Sequence, residues 1–592
     1  MAHRWRTSRP HARIHRRSSH RSRHQARAAT TERTQTLQRD RPRWHQTCLP
    51  HPIDRRSLGL VDRQFPSAPY QIRTTMRHFI PYTIPAPLLS SAAAIDVEEL
   101  SISDVGEAFT QRTFLPSELA AACLMRINHL EPYLNAFIWL NPDVLDDARR
   151  ADAEIVEGKQ RGPLHGVPLV LKDNMDIAGV RTTAGYAGFA SEDRVVDSQL
   201  GAFNGLDLMP GHDAELVSRL KAAGAIILGK SNLPDFGLDG LRADSSHAGD
   251  TLNPYDRRYA PGASSSGSAA AVATGMGMVG IGTDTAGSIL FPASAQSLVG
   301  LKPSFNLVPT AGIFPGLANH DVAGPIARTV TDAAITLDVI ANESTDVSAL
   351  RYADSLRRGS FKGKRIGLFE AGIWAGALHP EVQSHYSKMI RIIEDLGAET
   401  VPVVFGDTDW KSRWSSRKSF VDTNCYLAGV DAYLAALGGD NPNSRLAFRA
   451  RTGFDIGLGT TAPLHGLLAN TGINVAISGA EMDRVIEIAK SLLRHYQTIL
   501  KDKRIDALFM PRSINPLPDL DGDTPKYLGD QSVATEVNEL GLPAITVPAG
   551  YLDDGRPIAV DIVGTSLGSD REILSLAFDF EQHTRLRRRP AI

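Results

Sequence analysis

The sequence predicts one large α/β domain in which a mixed central β-sheet is covered by helices on both faces. Three observations lead there. Short, nearly continuous apolar runs recur at residues 167–171, 225–228, 507–510 and 544–547, the mark of strands buried on both sides. Stretches with helical apolar spacing are interspersed with them, as at 330–340, 379–396 and 481–503. No clean boundary and no internal repeat divides these elements. At 592 residues and 42% hydrophobic, the chain is long enough to bury a large core.

The N-terminal part is different in kind. Residues 1–75 hold 17 Arg, no Lys and four acids, Glu32, Asp40, Asp54 and Asp62. They lack apolar periodicity and are expected to be disordered. Such a leader reads as a basic nucleic-acid arm, as a mitochondrial transit peptide, or as an upstream region that is not translated, because Met76 offers a second start. Residues 76–94 begin basic, are moderately apolar in the centre and end in small residues, an order that resembles a secretory signal. Pro81, Pro85 and Pro87 make that centre a poor helix. Secretion is the expectation if translation starts at Met76, and a cytoplasmic location otherwise, with mitochondrial import ranking behind both.

The leader sums to +13 and the remaining residues to −15, so the overall net charge of −2 conceals an acidic body. An acidic body is poorly suited to nucleic acid or to anionic membrane, and no nucleic-acid partner is expected. No run approaches the roughly 20 apolar residues of a membrane span, so no transmembrane segment is expected. Cys48, Cys123 and Cys425 cannot build a disulfide framework and show no metal-ligand spacing.

Residues 96–150 have helical spacing, with Ser117 placed to cap a helix. The apolar run 167–171 then ends in Lys172. Residues 192–212 form an unusually long connection, read either as a lid over a substrate opening or as an artefact of the predicted gene. A helix at 213–223 and a strand at 225–228 follow. Gly224 to Ser231 matches the phosphate-loop expression G-x-x-x-x-G-K-S. A phosphate cradle needs a flexible turn after the strand, whereas here the four intervening residues are themselves the apolar strand, which argues against nucleotide binding.

The segment 262–292 organises the rest. It carries two serine-bearing glycine turns, Gly262-Ala263-Ser264-Ser265-Ser266-Gly267-Ser268 and Asp284-Thr285-Ala286-Gly287-Ser288-Ile289-Leu290-Phe291-Pro292. Between them, 268–279 has helix composition with Ser268 as the expected N-cap, and 280–284 reads as a short buried strand. About 12 helical residues rise ~18 Å and about six extended residues return ~20 Å, so the two turns are expected side by side. Two hydroxyls that are distant in sequence would then be neighbours. Beyond them, 361–370 holds a strand around R-I-G-L-F and 558–563 another, while 405–480 is the least informative region and a natural place for substrate selection.

These residues carry a family likeness. The two serine turns resemble the glycine-serine signature of the amidase signature family, usually G-G-S-S-G-G-S followed by D-T-G-G-S-I-R-I-P. Gly166-Val167-Pro168 through Lys172-Asp173 resembles that family's G-x-P-x-x-x-K-D segment. The likeness continues at Gly300-Leu301-Lys302-Pro303, at Asp321 through Arg328, and at Gly541 through Gly550, so it spans roughly residues 95–585 in family order. The resemblance implies the amidase signature fold over 95–592, and a Ser-Ser-Lys relay with Ser288 as nucleophile, Ser264 as bridging hydroxyl and Lys172 as ultimate base. It also selects Ser264 over its neighbours Ser265 and Ser266 by the interval to Ser288.

The chemistry fits those residue types. An amide carbonyl is a weak electrophile with a poor leaving group, so its hydrolysis needs an activated nucleophile, oxyanion donors and a returned proton. A lysine can accept a proton near neutrality only if burial holds it uncharged. Backbone N–H groups of Thr285, Ala286 and Gly287 are the expected oxyanion and substrate-binding donors, and Asp284 is expected to support their turn. No metal or organic cofactor is called for.

The sequence also departs from the family. Ala263, Ser266 and Ala286 stand where glycine is usual, and a left-handed Ala286 would be strained. Leu290 replaces the usual Arg, which leaves any acidic partner to find another donor and predicts a weakened or rebuilt local ion network rather than a dead site. The expected activity is hydrolysis of a small-molecule carboxamide at a C–N bond other than a peptide bond, through an acyl-serine. The alternatives are a catalytically weakened binding protein of the same fold and an amidotransferase-type subunit. A homodimer is compatible with all three.

Overall fold

The computed structural model describes residues 81–197, 201–317, 320–342, 351–369, 377–404, 426–457, 479–520 and 535–592. The leader 1–75, and residues 76–80 of the signal-like stretch, lie outside the described residues. So do 405–425 and 458–478 of the region expected to house substrate selection.

The strands in chain order are β1 (Phe137–Leu140), β2 (Pro168–Lys172), β3 (Arg194–Asp197), β4 (Gly201–Asn204), β5 (Ile226–Ser231), β6 (Asp244–Ser245), β7 (Gly249–Asp250) and β8 (Val279–Asp284). They continue with β9 (Val299–Lys302), β10 (Val322–Ala327), β11 (Arg365–Phe369), β12 (Glu399–Val403), β13 (Ala507–Pro511), β14 (Ala544–Tyr551) and β15 (Pro557–Gly564). Among the described residues, eleven of these form one sheet in the order β1-β5-β2-β8-β10-β9-β14-β15-β13-β11-β12. It is mixed: β5, β2 and β8 run parallel, β13, β11 and β12 run parallel, and the strands between are antiparallel.

Alternation along the central strands divides the core into layers, because successive side chains point to opposite faces. Phe509, Ile545, Val547 and Ile562 join the main cluster, together with the helices Pro116–Leu134, Val330–Ile340 and Asp570–Thr584. Their neighbours Leu508, Met510, Ala544 and Val563 join a second cluster with Leu290, Tyr496 and Leu500. Helices therefore cover both faces, as the apolar runs predict. No described helix is long and apolar enough to cross a membrane.

The helix starts differ from expectation in instructive ways. Ser117 does not cap its helix. Pro116 occupies the first turn, where its missing N–H costs nothing, and Glu118 reaches back to the Leu115 N–H at 2.8 Å. The Ser117 N–H instead donates to Asp152 Oδ1 at 2.9 Å, tying two helices together. Likewise Pro85 and Pro87 do not prevent a helix at Ala86–Ala92, because they sit at its cap and first turn. That helix packs on Pro116–Leu134, and the Tyr82 N–H donates to Asn128 Oδ1 at 2.8 Å just before it.

The long connection 192–212 folds, where described, around the antiparallel pair β3–β4. Its base is clamped by Arg181, which pairs with both Glu192 and Asp207, and His247 Nδ1 lies 2.5 Å from Asp193 Oδ2. Val195 and Leu208 are buried in an aromatic cluster with Tyr186, Phe189, Phe236, Phe314, Phe448 and Phe454. Just past the end of the helix Arg445–Thr452, Phe454 meets Phe203 of the connection with ring centroids 5.3 Å apart.

Candidate active site

Lys172 is the last residue of β2, a strand whose five residues are all buried. The parallel neighbours β5 and β8 enclose it on both sides, and Lys172 is 1% exposed. Its Nζ lies 2.7 Å from Ser264 Oγ and 2.9 Å from Thr283 Oγ1 on β8. Asn174 Nδ2 donates to the same Thr283 oxygen at 3.0 Å. Burial pushes the Lys172 amine down from its ordinary 10.5 to about 7, while the carboxylates of Asp284 and Asp321 pull it back up.

Ser264 reaches the lysine from the turn before the helix Ser266–Ala273, where the Ala263–Ser264 peptide is cis. Of three consecutive serines, it is the one that meets Lys172. Ser265 Oγ donates to Thr283 O at 3.3 Å and Ser266 Oγ to Gly262 O at 2.5 Å. The helix begins two residues earlier than its composition predicts and is shorter, ending where Gly275 adopts φ 72°. Ser268 is therefore not its cap. Its hydroxyl lies 2.6 Å from Ser231 Oγ and fastens the helix to β5.

Gly237 lies against this pair. A Cβ added there would sit 3.0 Å from Ser264 Oγ and 3.9 Å from Lys172 Nζ, and its φ is +72°. A side chain there would be strained by the left-handed backbone and would press on the Ser264 hydroxyl. Neither pattern nor propensity marks this position in the sequence, because the approach is made in space.

β8 and the helix bring Ser288 back beside Ser264. The turns join through the Ser265 N–H, which donates to Ser288 O at 3.2 Å. Ser288 is 8% exposed. Among the described residues the two turns are adjacent, but no hydrogen bond joins the Ser288 and Ser264 hydroxyls as the relay expects.

Asp284 organises the turn between. Its carboxylate accepts from the N–H groups of Gly287 and Ile289 at 2.7 Å, from Leu290 N–H at 3.3 Å and from Asn538 Nδ2 at 2.7 Å. This supports the turn as expected and corrects one detail. The Gly287 N–H is taken by Asp284, so of the three expected oxyanion donors only those of Thr285 and Ala286 carry no hydrogen bond within the described residues. The positive φ, 108°, falls on Gly287, and Ala286 is spared the left-handed conformation.

Leu290 is fully buried among Met510, Ile514, Val537 and Leu542. The nearby carboxylates have other donors. Asp284 uses Asn538, and Asp561 holds Arg512 at 2.8 Å in a buried pair. The phosphate-loop look-alike is dismantled too. Gly229, Lys230 and Ser231 lie on β5, and Lys230 Nζ sits 2.7 Å from Asp173 Oδ1 with both side chains fully buried.

An α/β sheet with a buried lysine touching a serine hydroxyl and a glycine-rich turn at one strand end fits the class of amidase-type enzymes. The chain is a member of the amidase family, whose model matches residues 118–574. Two curated relatives are subunits of a glutamyl-tRNA(Gln) amidotransferase. The one from Symbiobacterium thermophilum is 32% identical over 496 residues, covering 80% of this chain and 96% of the relative. The one from Carboxydothermus hydrogenoformans is 30% identical over 500 residues, covering 82% and 97%. Among solved structures, the native peptide amidase of Stenotrophomonas maltophilia is similar with TM-score 0.70 and 30% identity, over 83% of this chain and 98% of that one.

Proposed function

We propose that this protein hydrolyses a carboxamide through an acyl-serine intermediate, with Ser288 as nucleophile, Ser264 as proton bridge and Lys172 as base. The observation that carries this reading is the Lys172 amine, buried and in contact with Ser264 Oγ at 2.7 Å, where burial pushes it down to about 7. A solvated lysine stays charged at neutral pH and can only donate. This one exchanges a proton near neutrality, as general base catalysis requires.

Ser288 attacks the amide carbon while its proton passes to Ser264 and the Ser264 proton passes to Lys172. The tetrahedral oxyanion is met by N–H groups of the 285–286 turn. Collapse breaks the C–N bond, and the relay returns a proton to the leaving nitrogen. Water then attacks the acyl-Ser288 ester, giving a carboxylic acid and the free enzyme.

The two amidotransferase relatives favour a second reading, in which the released ammonia is passed to an acceptor within a complex rather than to solvent. A fluorophosphonate probe followed by peptide mass spectrometry tests the shared chemistry. Adduct on Ser288 in the wild type and none in Lys172→Ala is expected. A well-folded protein that neither labels nor turns over an amide panel would be a binding protein of this fold. Ammonia release from simple carboxamides by the chain alone separates hydrolysis from transfer.

A further inference from the structure

Asp321 lies just before β10 and has no part in the relay as described. Its carboxylate gathers three donors from two segments: Thr285 Oγ1 at 2.6 Å, Leu317 N–H at 2.8 Å and Gly316 N–H at 2.8 Å. The junction is tight. A Cβ on Gly316 would fall 2.6 Å from Thr285 Oγ1 and 3.3 Å from Asp321 Oδ1. Burial pushes the Asp321 carboxyl up, whereas the three donated hydrogen bonds and the Lys172 ammonium pull it down.

The glycine-rich turn is thus held at both ends by carboxylates. Asp284 takes the N–H groups of Gly287, Ile289 and Leu290 on the far side. On the near side the Thr285 hydroxyl is held by Asp321, and the N–H groups of Thr285 and Ala286, which carry no hydrogen bond within the described residues, lie between the anchors. Both residues are partly exposed, as donors that meet a substrate must be. A donor aimed at a developing oxyanion must be fixed before the reaction, because its value lies in needing no reorganisation.

We propose that Asp321, gripping the Thr285 hydroxyl and the Gly316–Leu317 backbone together, is a positioning residue that aims the Thr285 and Ala286 N–H groups at the oxyanion. This rests on the acyl-serine reading above. The Thr285 side chain acts through its own main chain and touches no reacting atom. The consequence is specific: the hydroxyl matters and the methyl does not.

The test compares Thr285→Val, Thr285→Ser and Asp321→Asn with the wild type. The probes are a fluorophosphonate for the rate of Ser288 labelling and p-nitrophenyl acetate for kcat and KM. Thr285→Val is nearly isosteric and is expected to label about tenfold more slowly or worse, with kcat falling in step and KM little changed. Thr285→Ser restores both. Asp321→Asn keeps one acceptor oxygen but turns the other into a donor facing an N–H of the Gly316–Leu317 junction; assayed well above pH 7, where loss of its charge beside Lys172 no longer matters, it is expected to slow labelling too, and it decides the matter if Thr285→Val does not fold. A labelled wild type with an unimpaired Thr285→Val, or a Thr285→Ser as slow as Thr285→Val, overturns this inference alone. A wild type that never labels overturns the acyl-serine reading and this inference with it.

Discussion

Lys172 Nζ and Ser264 Oγ are 2.7 Å apart although 92 residues separate them in the chain. β2 delivers the amine to the end of a buried strand, and the turn before Ser266–Ala273 delivers the hydroxyl to the same point. Everything expected of the relay depends on that meeting occurring out of water.

The lysine must be neutral to act, so activity should rise with pH through an acid limb near 7 and level off above it. A kcat/KM profile checks this. A limb near 10 would mean a solvated lysine.

The same burial has a stability signature. The folded chain holds Lys172 below its ordinary pKa, so between about pH 7 and 10.5 the unfolded chain binds the proton that the folded one has released, and stability rises with pH across that window. Lys172→Met should abolish activity yet stabilise the fold below pH 7, by on the order of a few kcal/mol less the hydrogen bonds lost at Ser264 and Thr283. The gain should vanish by about pH 11. Melting curves at about pH 6 and at pH 10.5 measure it.

Ser264→Ala removes the bridge and leaves the nucleophile. The kcat should fall by about 10²- to 10⁴-fold, the range for loss of a positioned proton-transfer group. Ser265→Ala loses only a 3.3 Å bond to Thr283 O and should retain far more activity. Equal losses in the two variants would count against the assigned register.

Asp284→Ala would strand the N–H groups of Gly287, Ile289 and Leu290 and the Asn538 amide, all buried. At about 1–3 kcal/mol for each unsatisfied group, the variant should be severely destabilised or unfolded. Asn538→Leu strands a single acceptor lone pair and should cost only about that amount once, as chemical denaturation would show.

Lys230→Met breaks the fully buried pair with Asp173 and should cost about 3–5 kcal/mol, because it leaves an unpaired buried carboxylate. Adding ATP or GTP should leave the melting temperature of the wild type unchanged. A nucleotide-dependent rise would restore the phosphate-loop reading that the β5 geometry opposes.

Leu290→Arg restores the residue common in the family but places a guanidinium in a filled apolar layer beside Met510, Val537 and Leu542. With Asp561 already holding Arg512 and Asp284 already holding Asn538, the new charge finds no carboxylate to itself and must share one. The variant should be less stable than wild type, measured by thermal melting.

Much of this protein is legible in its sequence. Continuous apolar runs marked β2, β13 and β14 because a doubly covered strand needs no polar face, and the long helix around 481–503 followed from its stripe. The ordered motifs, through their family likeness, named Lys172, Ser264 and Ser288, since a turn serine or a strand-end lysine is by itself an ordinary feature. Helix starts were misplaced at Ser117 and Ser268, where side chains or main chain serve distant partners rather than their own helix. Only the tertiary structure decided that Gly237 backs against Lys172 and Ser264, that Asp284 consumes the Gly287 N–H, and that Asp321 reaches Thr285. A sequence sets each strand and turn through short-range sterics and burial. Which groups then share hydrogen bonds depends on chain segments that converge from far apart, and that convergence exists only once the sheet has assembled.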